Sequence, residues 1–150
     1  MEFAAIGLAF VFSVVGVLEI GWQITVSSAL DSAAQRAGRF GVTGQQTRTG
    51  APATISCRSD TIRWMVSSTA GGILRPERLT VTTAAFGSAS GLGGASTPGA
   101  GVGGQVVTYS LRYEEPFLTG LWLQLVGGPD RIVHQASLVV KNEMFANATC

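Results

Sequence analysis

The chain has 150 residues, 13% of them charged, and a formal net charge of +1. That balance argues against a nucleic-acid partner, which requires a basic patch, and the length fits one domain. Two cysteines, Cys57 and Cys150, stand far apart with no histidine at metal-ligand spacing, so one disulfide in an oxidising compartment is the simplest pairing and no cofactor is expected.

The N-terminal forty residues carry the strongest signal. Glu2 opens an apolar run from Phe3 to Leu18, interrupted only by Gly7, Ser13 and Gly16, and Glu19 closes it. Ile20–Val26 continues the run more weakly, and no Lys or Arg precedes Arg36. As a helix, Phe3–Val26 spans roughly 36 Å, enough to cross a hydrocarbon core with some tilt. The run is long for a signal peptide and lacks a basic stretch before it, so a retained anchor is expected. A carboxylate at each end of a membrane-length helix is costly in lipid and calls for a role. The alternative for Glu2 is a solvated acid favoured by the helix dipole. For Glu19 it is a place at the membrane–water boundary beside Trp22 and Gln23. The helix is expected to run on to about Arg39, with Ile24, Leu30, Ala33, Ala34 and Ala37 at near-helical spacing and Gly38 and Gly41 as stop signals. Arg36 and Arg39 alone would place the C-terminal side in the cytoplasm. The cysteines point the other way, and an exported C-terminal domain is adopted.

Thr47–Ala53 reads as a linker and Thr54–Ala70 as a second helix, with an apolar stripe of Ile55, Ile62, Met65 and Val66 flanked by Trp64. Leu79–Phe86 is rich in Val and Thr and reads as a strand. Gly87–Gly104 is a flexible loop by composition; its Gly99–Gly104 run lacks the Lys-Ser/Thr ending of a phosphate loop. Val107, Tyr109, Leu111 and Tyr113 alternate with polar residues, a clean period-2 strand over Val106–Tyr113. Glu114-Glu115-Pro116 ends it as a solvated acidic turn. Phe117–Val126 is apolar, a short helix or a docking loop. Arg131–Lys141 is a further strand, with Ile132, His134, Ala136, Leu138 and Val140 on one face and His134 as a packed, hydrogen-bonded side chain. Asn147-Ala148-Thr149 matches a glycosylation acceptor by chance. The fold expected is α+β: a long, partly transmembrane helix (1–40) packed by its distal half on a small antiparallel sheet of three or four strands, within a domain spanning 41–150 that includes the second helix and the Gly-rich loop 87–104. No triad, metal cluster or cofactor loop emerges, so an enzyme is not expected.

Glu2-Phe3-Ala4, the apolar run, Leu18-Glu19-Ile20-Gly21 and Ala29-Leu30-Asp31-Ser32-Ala33-Ala34-Gln35-Arg36-Ala37-Gly38-Arg39 resemble the TadE-like family, the minor pilins or pseudopilins of the tight-adherence (Tad) pilus. Pro76–Val81, Val106–Phe117 and Ala136–Phe145 are similar to the family's distal strands in a weaker way. The proline that the family often carries six residues after the first glutamate is Leu8 here, and only Met1 precedes Glu2, so the peptidase processing motif itself is not visible. The resemblance implies a pilin-like structural subunit held in the bacterial inner membrane by its N-terminal helix, with the domain in the periplasm or, after assembly, outside the cell. Glu2, Phe3 and Glu19 are then assembly residues. Glu2 would neutralise the N-terminal amine of a neighbouring subunit in a low-dielectric core. The implied partners are other pilin or pseudopilin subunits, the pilus assembly machinery and inner-membrane lipid, with no small-molecule substrate. The alternative is a static membrane-anchored periplasmic binding module that never enters a filament.

Overall fold

The computed structural model describes residues 2–69, 72–120 and 127–145. In chain order these form α1 (Glu2–Val42), α2 (Arg58–Thr69), β1 (Leu79–Phe86), β2 (Thr97–Pro98), β3 (Val106–Pro116) and β4 (Arg131–Lys141), with short 3-10 turns at Pro76–Arg78 and Ala89–Gly91. The strands make one antiparallel sheet in the order β2-β1-β3-β4. Both helices lie on the same face of it, the α+β arrangement expected from the sequence.

Alternation decides which face they cover. Val107, Tyr109, Leu111 and Tyr113 are buried on the helix side of β3, while Ser110 and Arg112 point to solvent. Their cross-strand neighbours follow: Tyr109 lies opposite Leu138, Leu111 opposite Ala136 and Tyr113 opposite His134. From β1, Val81, Thr83 and Ala85 join the same layer. Burying these side chains against one apolar helix stripe is the two-layer solution that an amphipathic sheet requires.

The stripe on α1 is Val26, Leu30, Ala33, Ala37 and Phe40, stepping by four and three residues along one face. The same rhythm extends back through Gln23 to Glu19, both buried. Ile24, expected on this face, is exposed; Gln23 and Val26 hold the positions next to the sheet. Gly38 and Gly41 do not stop the helix, which continues to Val42. They are contact positions instead. A Cβ on Gly41 would overlap the Tyr109 hydroxyl, and one on Gly38 would overlap a methyl of Leu138. Small residues there let the helix lie close on β3 and β4.

Two further expectations change. α2 starts at Arg58, not Thr54, because a turn closed by Ile55 N–H on Pro52 O (2.9 Å) precedes it, and the first helical bond runs from Thr61 N–H to Cys57 O (2.9 Å). Ile55 therefore lies outside the helical stripe. The distal half of the Gly-rich loop is pinned where a flexible loop was expected. Buried Arg58 donates through Nη2 to Ala100 O (2.6 Å) and to Gly101 O, and stands 4.8 Å from the Phe145 ring centroid. The Asn142 amide donates to Ala100 O (2.9 Å) and Val102 O (3.0 Å). Burial pushes the Arg58 guanidinium below its ordinary value, opposed by Tyr109.

Candidate functional site

The candidate functional feature of the fold is the point where α1 leaves the domain. From Phe3 to Leu18 the helix is mostly exposed; Phe3 is 89% exposed and Phe10 68%. Among the described residues α1 is long and apolar enough to cross a membrane, with a mean hydropathy of 2.3 over an 18-residue window. Membrane anchors and signal sequences share that property. The mostly exposed stretch is Phe3–Leu18, because Glu19, Gln23 and Val26 are buried in the domain. Phe3–Leu18 covers roughly 24 Å of helix axis. On the side away from the sheet, exposed Ile20 and Ile24 carry the apolar surface to about 33 Å.

At this exit a polar seam ties helix to sheet. Glu19 is drawn into the domain. Its carboxylate is buried and accepts hydrogen bonds from Gln23 Nε2 (2.8 Å), Thr119 N–H (3.1 Å) and Thr119 Oγ1 (3.3 Å). Because Gln23 donates its amide N–H to Glu19, its oxygen faces His134, 2.8 Å from Nε2, so Nε2 carries the imidazole proton. His134 is thus packed and hydrogen-bonded as expected, and burial holds its pKa below the ordinary imidazole value, with Glu115 opposing.

A second tie runs one helical turn across. Trp22 Nε1 donates to Glu115 Oε1 (2.8 Å), and Arg78 Nη1 sits 3.3 Å from Glu115 Oε2. The acidic pair is therefore not a solvated turn. β3 continues through it to Pro116, and alternation places Glu115 on the buried helix face beneath Tyr113. Glu114 points the other way into an exposed network with Arg112 and Arg131, each 3.2 Å away, which holds its carboxyl below the usual range. Such exposed pairs contribute little to stability. Tyr113 is anchored beside this seam: its hydroxyl accepts from Arg75 N–H (3.2 Å) and donates to Ile73 O (3.4 Å).

Chemically the seam is a set of positioning contacts. Each hydrogen bond to a buried carboxylate contributes about 1.5–3 kcal/mol, and together they tie this part of the helix to the domain. Beside the seam lies an apolar cleft of about 330 Å³ lined by Ile20, Ile24, Phe117 and Ile132. Among the described residues no group of three His, Cys, Asp or Glu side chains is placed to hold a metal ion.

Of the residues singled out from sequence, Glu19 lies in the seam, Phe3 is at the free end and Glu2 begins the helix. The Glu2 side chain lies outside the described part of the structure, as does Cys150. Cys57 is disulfide-bonded. Of the Phe117–Val126 run, residues 121–126 lie outside the described residues. In the described portion Phe117 N–H bonds Asp130 O (3.2 Å) and Thr119 reaches Glu19. Trp22, Gln23, Arg78, Glu115 and Thr119 were not foreseen as a unit. Their one local trace is Glu115 falling in phase with Tyr113 on the strand's buried face. Comparison with protein-family models, curated protein sequences and solved structures finds no match for this chain.

Proposed function

We propose that this chain is a structural, non-enzymatic subunit of a Tad-type, type IV-like pilus, resembling the TadE-like minor pilins and pseudopilins. The observation that carries the proposal is the division of α1. Its domain half is the spine of an α+β core, and its outer half is a largely exposed apolar rod. A rod of that kind must be covered by lipid or by other helices, since exposed apolar patches of this size mark interaction surfaces. In a membrane it anchors the subunit, with the domain in the periplasm. On extraction it packs among the helices of other pilin or pseudopilin subunits. The polar seam supports this reading, because a lever that must be lifted from lipid into a filament needs a stiff joint to its head. Glu2 and Phe3, at the tip, are the assembly residues, and Glu19 is the joint.

The test is a Glu2→Ala variant expressed in place of the wild-type chain. Membrane fractionation is expected to be unchanged, while the protein disappears from the sheared pilus fraction and pilus number falls. Normal pilus number with normal co-purification would show that Glu2 is a helix-end charge only. Wild-type protein found only in membranes and never in sheared pili would favour a static anchored module.

A further inference from the structure

β1 is an edge strand for most of its length. β2 pairs with it only at Ala84 and Ala85. Gly99 N–H then donates to Thr83 O (3.2 Å), and Ala100 turns into the core. Backbone groups alternate along a strand, so those of Val81 and Leu79 point the same way as those of Thr83, toward the open edge. Leu79 N–H is taken by Pro76 O. Among the described residues, Val81 N–H and C=O, Leu79 C=O and Thr83 N–H have no hydrogen-bond partner.

This edge is not simply open to solvent, because α2 stands beside it. One cleft of about 440 Å³ lies among Trp64, Ser67, Pro76 and Leu79. Another of about 350 Å³ lies among Ser59, Thr83, Pro98 and Gly99. Arg63 and Val81 line both, so the two clefts form one groove along the unpaired edge. An unpaired edge with a walled groove is the geometry that takes an added strand, main chain to main chain, with alternate side chains entering pockets.

We propose that this groove receives an extended segment of a partner protein, paired antiparallel to β1 in line with β2, with an acidic residue followed two positions later by an apolar one. Side chains of an added strand that face α2 recur every second residue. The first to enter meets Arg63, whose side chain is more than half exposed and, among the described residues, has one loose ion pair, with Asp60 at 3.9 Å. The next meets the apolar end formed by Trp64, Pro76 and Leu79. Backbone pairing would supply affinity, and the Arg63 charge and Trp64 pocket would supply the choice of sequence. The site lies on the β2 side of the sheet, whereas α1 packs on β3 and β4, and it stands independently of the pilus assignment.

The full chain in detergent micelles is panned against a phage-displayed library of random octapeptides, and the enriched sequences are synthesised. Enriched peptides are expected to carry the acid-x-apolar pattern. In residue-resolved amide exchange, Val81 and Thr83 are expected to exchange fast in the free protein and to be protected by the peptide. Thr80 and Thr82, paired with β3, are protected in both states. Arg63→Glu is expected to weaken peptide binding by about tenfold, and N-methylation of the peptide's β1-facing amides to abolish it with the protein unchanged. The proposal is overturned if no sequence is enriched over the bare support, or if enriched peptides leave Val81 and Thr83 exchange unaltered. Val81 protection that grows with protein concentration alone would make a second copy of the chain the occupant and would also overturn it.

Discussion

Glu19→Ala tests whether Glu19 is a joint between helix and domain. Wild-type Glu19 is 8% exposed, and its carboxylate accepts from Gln23 Nε2, Thr119 N–H and Thr119 Oγ1. In the variant the Thr119 hydroxyl can turn to water, but the half-buried Thr119 N–H and the buried Gln23 Nε2 are left without that acceptor. Each lost bond to a charged acceptor is worth about 1.5–3 kcal/mol. Release of the carboxylate's desolvation cost offsets part of that, leaving a net destabilisation of about 2–3 kcal/mol. For a chain of this size the midpoint should fall by about 4–12 °C. Glu19→Gln keeps an oxygen but turns an amide N–H toward donors, so about half the effect is expected. Ile20→Ala, one residue along on the exposed side, should change stability by no more than about 0.5 kcal/mol. The assay is thermal unfolding of the full chain in detergent micelles, followed by near-ultraviolet circular dichroism. Membrane insertion should be unaffected, because Phe3–Leu18 is untouched. Glu19→Ala within about 0.5 kcal/mol of wild type would refute the joint.

Gly41→Ala should destabilise by about 1–3 kcal/mol despite a helix-propensity gain of about 1 kcal/mol, because the new methyl meets the buried Tyr109 hydroxyl; Tyr109→Phe in the same chain should recover part of the loss, and no recovery would contradict the assigned contact. His134 is held neutral by burial, so its contribution is full above the ordinary value of 6.5 and is lost as pH falls toward its depressed folded value. Stability measured between pH 7 and pH 5 should therefore fall in wild type and fall less in His134→Gln; equal slopes would remove His134 from the account. Cys57 is disulfide-bonded, and Cys150 is its expected partner. Thiol labelling of native, unreduced protein should add no mass, and reduction should cost up to about 4–5 kcal/mol for so long a loop; two reactive thiols would refute the pairing.

Much of the architecture was legible along the chain. Leu79–Phe86 and Arg131–Lys141 are strands at the limits expected, because β-branched content and period-2 alternation are local properties that burial on one face then reinforces. The apolar rod was equally plain, since its length and hydropathy need no partner to be read. What was misread lies where a residue's role is set by a distant one. Glu115 looks like part of an acidic turn until Trp22, 93 positions away, donates to it. Glu19 reads as the acid that closes an apolar run, and its hydrogen bond to Thr119, 100 positions away, is not visible in it. Gly38 and Gly41 resemble helix stops by composition, and only the approach of Leu138 and Tyr109 shows that they are clearances. Arg58 sits at the head of a short helix, and only the fold brings the carbonyls of Ala100 and Gly101 to it.

The sequence by itself determined the apolar rod, the strand alternation and therefore the layer that must be buried, because these depend on backbone periodicity and on transfer of each side chain out of water. The tertiary structure alone decided which polar groups are held within that layer. A buried carboxylate or guanidinium is tolerable only when partners from remote strands and loops converge on it, and no local pattern encodes that convergence.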